Sequence, residues 1–397
     1  MGNQKTYDTI EERFFILPIF MIYWVDARIT DSDTNRITWM HAFLNAFESI
    51  TDVPCVFFLT EPLYSIYNPE KKQNIKILIS SERWYFHETF SITKKYLDLK
   101  IDCLFSIDNP IPRLYRKKSV LFLSNLTPIL YPNRSKRGML DRFHTGRKLR
   151  NSIKKADAII VPYIALSRDI IDIFNIQEEK VQVIPPYEQD IHLSYTDAQI
   201  TKVRIQYHLT NGYFLYDGWW GAHMNLSRMI IAYGEYIKQK QHEHPLELVI
   251  LWREKEDYKD IRNHISQLGI QKYIKILWSL KEEETNIIYQ EASGFLFVPL
   301  YYGWNPLLNR VKLSKIPIVH SSLDILQEIV GETPYHFICA ANKERGITES
   351  IVNCDTYIHT NIHSKNNQLI ASQKDNISII KSICNLLWET CKTQEVQ

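Results

Sequence analysis

Short runs of consecutive apolar residues alternate along this chain with longer segments in which apolar residues recur every three or four positions. Runs that are apolar throughout read as strands buried on both faces, and the segments between them as covering helices, so the pattern predicts parallel sheets layered between helices. In the first half, strands are predicted at 19–25, 55–59, 75–79, 103–107, 120–123 and 158–161. Between the first two lies a helix with Ile37, Met40, Phe43, Leu44 and Phe47 on one face. The second half repeats the scheme, with strands at 213–216, 248–251, 274–277, 295–298 and 316–319 and a helix over 258–268 stopped by Gly269.

A Pro-Pro pair at Pro185 and Pro186 opens a stretch without either period, so the linker is placed near 185–209. The predicted organisation is a first domain over 1–186, a linker over 187–211, a second domain over 212–370 and a terminal segment over 371–397. In that last segment Ile377, Ile380, Cys384, Leu387, Trp388 and Cys391 recur at helical spacing. The fold class is therefore α/β, with two doubly wound, Rossmann-like parallel-sheet domains.

At 397 residues the chain exceeds the usual size of one domain, which agrees with two halves. Its net charge of +2 carries no signal for a nucleic-acid partner. The six cysteines are scattered without metal-ligand or disulfide-framework spacing and read as reduced thiols of a cytosolic protein. The apolar run over 14–25 is too short for a membrane span of roughly 20 residues and is divided by Pro18, while Asp8, Glu11 and Glu12 precede it and disfavour a secretory signal. A cytoplasmic location is expected, with peripheral membrane contact left open. Only 12 glycines are present, few for a chain that approaches phosphates in several loops.

The segment 291–331 reads as buried strand, tight glycine loop, helix, second buried strand and helix. That layout brings a helix amino end to the carboxyl edge of a sheet, where phosphate is held. Within it Leu300, Tyr301, Gly303, Trp304, Pro317, Val319, Glu328, Val330 and Gly331 fall in step with a pattern of retaining family-four glycosyltransferases, S-x-Y-E-G-F-G-x-x-x-x-E followed by G-x-P-V-V and P-E-V-V-G. The chain resembles that family over most of its length. Asp26-Ala27-Arg28 resembles its opening strand end, the loop around Asn109 its acceptor-side loop, and Val120 to Pro132 the segment written V-x-x-H-D-L-x-P. Gly218 to Asn225 resembles G-x-x-x-x-R-K-N at the start of the nucleotide domain.

The resemblance implies a GT-B fold, in which two Rossmann-like domains face one cleft and a terminal helix crosses back onto the first. It implies a nucleotide-sugar donor on the second domain, an acceptor on the first, transfer with retention of anomeric configuration, and no metal in the site. By position, the donor side falls to Gly218, Trp220, His223, Arg253, Trp278, Gly303, Trp304, Asn305 and Arg310, and the acceptor side to Asn109, Ser124 and Asn125. The catalytic candidates are Asn125, Tyr302 and Arg310.

Several family positions that carry polar groups are changed together. Tyr302 and Arg310 replace its two glutamates, His223 and Met224 its basic pair, and Ser124 and Asn125 its His-Asp pair. A guanidinium has donors only, so Arg310 in the cleft suits a phosphate better than a ribose; the plainer reading is an arginine on a solvated helix face. His223 is either a phosphate donor or a helix-start histidine in solvent. Trp219 and Trp220 are either packing or a platform for a base or sugar.

Nine Lys and Arg side chains stand between Arg134 and Lys155 against a single Asp141. Such a run attracts anionic lipid at about 1 kcal/mol per residue, or is simply a solvated helix face. The reading is a transferase acting on a glycan, lipid-linked or protein-linked acceptor, with no cofactor beyond the nucleotide-sugar co-substrate. Its alternative is a catalytically inactive GT-B protein acting as a binding or partner subunit.

Overall fold

The computed structural model describes residues 22–28, 34–51, 53–67, 75–80, 98–131, 139–186, 195–210, 212–218, 222–240, 243–252, 258–305, 307–331, 335–361 and 376–392. The strands are β1 (Tyr23–Asp26), β2 (Cys55–Thr60), β3 (Ile75–Ser80), β4 (Cys103–Ile107), β5 (Lys118–Phe122), β6 (Ala158–Val161), β7 (Val181–Val183), β8 (Tyr213–Gly218), β9 (Glu247–Trp252), β10 (Ile274–Trp278), β11 (Gly294–Phe297), β12 (Ile318–Ser321) and β13 (His336–Cys339). The helices of the first half are α1 (Thr34–Ile50), α2 (Glu61–Ile66), α3 (Thr127–Leu130), α4 (Met139–Lys155) and α5 (Ile164–Phe174), followed by α6 (Asp197–Gln206). The second half carries α7 (Leu226–Lys240), α8 (Tyr258–Gln267), α9 (Glu282–Glu291), α10 (Leu307–Ser314), α11 (Asp324–Val330), α12 (Glu344–Thr360) and finally α13 (Asn376–Lys392).

Every paired strand is parallel. The first sheet runs β3-β2-β1-β4-β5-β6-β7 and the second β10-β9-β8-β11-β12-β13. Central strands are buried end to end, as in YWVD of β1, CLFSI of β4 and YFLYDG of β8, because helices cover both faces. In each sheet the strand order reverses beside the first strand, between β1 and β4 and between β8 and β11. A crevice opens at such a point at the carboxyl ends of the strands.

The connection from β4 to β5 contains no helix, which leaves that part of the first sheet uncovered by its own crossover. The terminal α13 fills the space, packing on β4, β5 and α1. Its buried face is Ile379, Ile380, Ile383, Leu386, Leu387 and Cys391, while Ile377 is exposed, so the apolar stripe is rotated from the one the spacing suggests. The neighbouring Cys391 thiol, together with burial, pushes the Cys103 thiol well up. All six cysteines are free thiols.

Several boundaries differ from expectation. The strand expected at 316–319 is β12, starting two residues later because Pro317 has no N–H to give a ladder; its carbonyl accepts from Phe295 N–H at 2.8 Å instead. The linker, read as aperiodic, contains α6, opened by a capping box in which Thr196 accepts from Gln199 N–H. The 14–25 run ends in β1, which covers Tyr23–Asp26, and the part before residue 22 lies outside the described residues. Among the described residues no helix is long and apolar enough to cross a membrane.

Candidate functional site

At the second crevice β8 ends in Gly218, whose backbone lies so close to the Tyr216 ring that an added Cβ would sit 2.6 Å from the phenolic oxygen. A side chain there would have to push the Tyr216 phenol and the Met224 methyl aside. Beyond it His223 is 2% exposed, not a solvent-facing helix start as one reading had it. Its carbonyl accepts from Leu300 N–H at 2.7 Å, which ties the loop after β8 to the loop after β11. Asn225 completes the tie: in left-handed conformation (φ 57°), it donates through Nδ2 to the carbonyls of Val298 and Ala341 and accepts from Arg228 Nη1. Behind this floor the buried Asp217 carboxylate accepts from Tyr289 Oη at 2.8 Å.

The loop after β11 reaches the first domain. Gly303 faces Asn125 so closely that a Cβ on it would lie 1.9 Å from Asn125 Cβ and 2.6 Å from Ser124 O. Trp304 N–H donates to Ser124 O at 2.8 Å, and Leu126 N–H donates to Tyr301 Oη at 3.2 Å. Burial pushes the Tyr301 phenol above its usual range, so the group stays neutral. The Trp304 indole enters the first domain edge-on to Trp39 (4.7 Å between centroids) and to Phe122 (6.4 Å). Tyr131 closes the same seam, 5.6 Å from the His223 ring and 5.9 Å from Tyr301.

On the first-domain wall Asp108, with φ 54°, receives Ser124 N–H and Oγ–H at 2.7 and 2.6 Å. Asn125 donates to Ser124 Oγ and accepts Thr127 N–H, which starts α3. Asn109 does not turn its amide to the cleft as the sequence suggested. Its Nδ2 donates to the carbonyls of Ile107, Arg28 and Asp26, stapling the ends of β4 and β1 together. Beside it Asp26 and Arg28 form a two-pronged buried ion pair at 2.8 Å, with the guanidinium over the Phe58 ring.

Two catalytic candidates sit differently from expectation. Tyr302 is buried and stands edge-on to Phe297 at 4.8 Å, behind the loop rather than across it. Arg310 is buried, not on a solvated face, and its Nη2 pairs with Glu282 Oε1 at 3.2 Å, at the amino end of α9. The guanidinium is thus held by a carboxylate from a neighbouring helix, a partner that spacing along the sequence could not reveal. Asn305 accepts Leu307 N–H and so caps α10. Trp278 lies at the end of β10, paired in register with Trp252 of β9. Trp219, Trp220 and Arg253 lie outside the described residues. Among the described residues no group of three or more His, Cys, Asp or Glu side chains is placed to hold a metal ion.

The structure brings together His223, Gly303, Trp304, Ser124 and Asn125 at one seam between the two crevices, with Gly218 further back at the end of β8. The sequence did not single out Trp39, Tyr131 or Glu282, and it marked Asp26-Ala27-Arg28 without the ion pair inside it, since each of these contacts is made only by the folded chain.

No protein-family model and no curated protein sequence matches the chain. Solved structures do. Anabaena HepE in complex with UDP is 15% identical, with a TM-score of 0.64, over 93% of this chain and 100% of that one. WaaG, a glycosyltransferase involved in lipopolysaccharide biosynthesis, is 9% identical, with a TM-score of 0.64 and coverage of 92% and 99%. Sucrose-phosphate synthase from Thermosynechococcus elongatus is 11% identical, again with a TM-score of 0.64, covering 94% and 97%. The chain has the GT-B fold that these proteins share.

Proposed function

We propose that this protein transfers a sugar from a nucleotide-sugar donor, held against the second domain, to an acceptor held against the first. One observation carries the reading: the loop between β11 and α10 of the second sheet meets the end of β5 of the first at a common seam, so that groups from both domains converge on one place. HepE, whose structures include complexes with UDP-glucose and with UDP and glucose, gives the same direction through its likeness over nearly the whole chain.

In a transfer of this kind negative charge grows on the departing diphosphate while the sugar becomes cationic at its anomeric carbon. Catalysis then asks for fixed donors near the diphosphate. His223, buried on the floor of the second crevice, is the donor we assign to that place, with Arg310 behind it at the α9–α10 seam. Gly218 and Gly303 allow the backbone to approach. Ser124 and Asn125 line the opposite wall, where acceptor hydroxyls would meet neutral hydrogen-bonding groups. The acceptor is a glycan, a lipid-linked sugar or a protein-linked sugar.

Arg147, Arg150 and Lys154 are exposed on α4, the described part of the basic segment, and would face anionic lipid. Sedimentation with anionic vesicles tests this. Binding should fall as the Debye length shrinks from about 10 Å at 0.1 M salt to about 3 Å at 1 M, and equal binding to neutral vesicles refutes it.

The transfer itself is tested by incubating the protein with a panel of nucleotide sugars and sugar acceptors and following release of nucleoside diphosphate. The product should keep the donor's anomeric configuration by proton NMR. No release from any donor, with binding intact, would leave a nucleotide-sugar binder and not a transferase.

A further inference from the structure

Glu328 belongs to the second domain, on α11, yet its carboxylate ends on the first. One carboxylate oxygen accepts from Ile164 N–H and the other from Ala165 N–H, both at 2.9 Å. These are the opening amides of α5. The residue before them, Tyr163, makes no side-chain cap. Every helix leaves its first four N–H groups without partners inside the helix, and an anion at this end is favoured by the helix dipole as well. For α5 that acceptor comes from across the cleft.

The same cleft is bridged elsewhere by Trp304 N–H to Ser124 O, by Leu126 N–H to Tyr301 Oη and by the Trp304 indole beside Trp39. These contacts surround the substrate seam, whereas Glu328 is exposed and engages a different first-domain helix. We propose that Glu328 is a closure latch, a carboxylate that caps α5 only while the two domains are shut. Opening the cleft breaks two charge-assisted hydrogen bonds at once and returns the carboxylate and both amides to water. The latch therefore biases the open–closed balance without touching donor or acceptor. It follows from the closed geometry alone and does not depend on the proposed transfer.

Backbone amide exchange on the full chain distinguishes a latch from an ordinary cap. In Glu328→Ala, the loss of a typical cap shifts the balance by about 5-fold, so the amides of Leu126 and Trp304, which face the other end of the cleft, should exchange about 5-fold faster along with Ile164 and Ala165. Glu328→Gln keeps one acceptor oxygen and should fall between. Central β4 and β8 amides should keep wild-type protection in both. Acceleration confined to Ile164 and Ala165 would make Glu328 a local cap and overturn the proposal, as would no acceleration at all. Should the alanine variant also loosen β4 and β8, the glutamine variant decides by the same comparison. With UDP as probe, the latch variants should bind with a faster association rate. Absence of UDP binding to the wild type would count against the transferase reading while leaving the exchange result standing.

Discussion

Gly303→Ala is the sharpest perturbation of the seam, because the added atom has no room. Its Cβ would stand 1.9 Å from Asn125 Cβ, with Asn125 Cα and Ser124 O both at 2.6 Å. Two of these three neighbours are backbone atoms, so no side chain can swing away to relieve the clash. Restoring ordinary carbon–carbon contact requires the loop to retreat by about 1.5 Å or more. A retreat of that size stretches the Trp304 N–H to Ser124 O bond, now 2.8 Å, out of hydrogen-bonding range. The overpacking costs about 1–3 kcal/mol and the lost bond about 1 kcal/mol, both charged against closure and neither against the domain cores. Closure should weaken by about 2–4 kcal/mol, while the thermal midpoint changes little. Amide exchange at Trp304 and small-angle scattering read the two states directly. If Trp304 stays as protected as in the wild type and the radius of gyration is unchanged, the close approach of Gly303 to Asn125 is not a feature of the protein in solution.

Arg310→Ala should weaken nucleotide binding by about tenfold, the size of one hydrogen bond from a charged donor, and calorimetry that finds wild-type affinity would remove Arg310 from the donor side. Its effect on stability should stay near 1 kcal/mol, since Glu282 is half exposed and regains water. Leu387→Ala, at a fully buried site of α13, should cost about 2–5 kcal/mol in denaturant unfolding; a cost within 0.5 kcal/mol would mean α13 does not seal the first sheet. Burial, with His336 beside it, holds His320 below the usual histidine range. The unfolded chain then binds a proton more readily than the folded one, so stability should be complete above about pH 6.5 and fall as pH drops below it. His320→Gln should flatten that part of the profile, and an unchanged pH dependence would refute the assignment.

The central strands were legible because parallel strands covered on both faces are apolar at every position. Of the four edge strands, β3 and β10 could be read but β7 and β13 could not: β7 has only Val181 buried, and β13 only Cys339, so neither stands out as an apolar run. In α6, Ile205 is exposed and only Val203 is buried, which leaves no stripe to read. At the site, glycines that permit close approach could be found from their loops, as Gly218 and Gly303 were. The partners of Arg310, Trp304 and Asn109 could not. Each is chosen by an element distant in sequence, and nothing in the spacing around Arg310 shows that Glu282 shares its guanidinium.

The claim that the second crevice is a nucleotide-sugar site is tested most directly by titrating the wild type and His223→Ala with UDP, UDP-glucose and other nucleoside diphosphate sugars in a calorimeter. The account predicts saturable one-to-one binding of at least one of them, tighter than about 1 mM, and weaker by about tenfold or more in His223→Ala with the fold intact. No saturable binding of any nucleoside diphosphate or its sugar, or equal affinity in the variant, would contradict it.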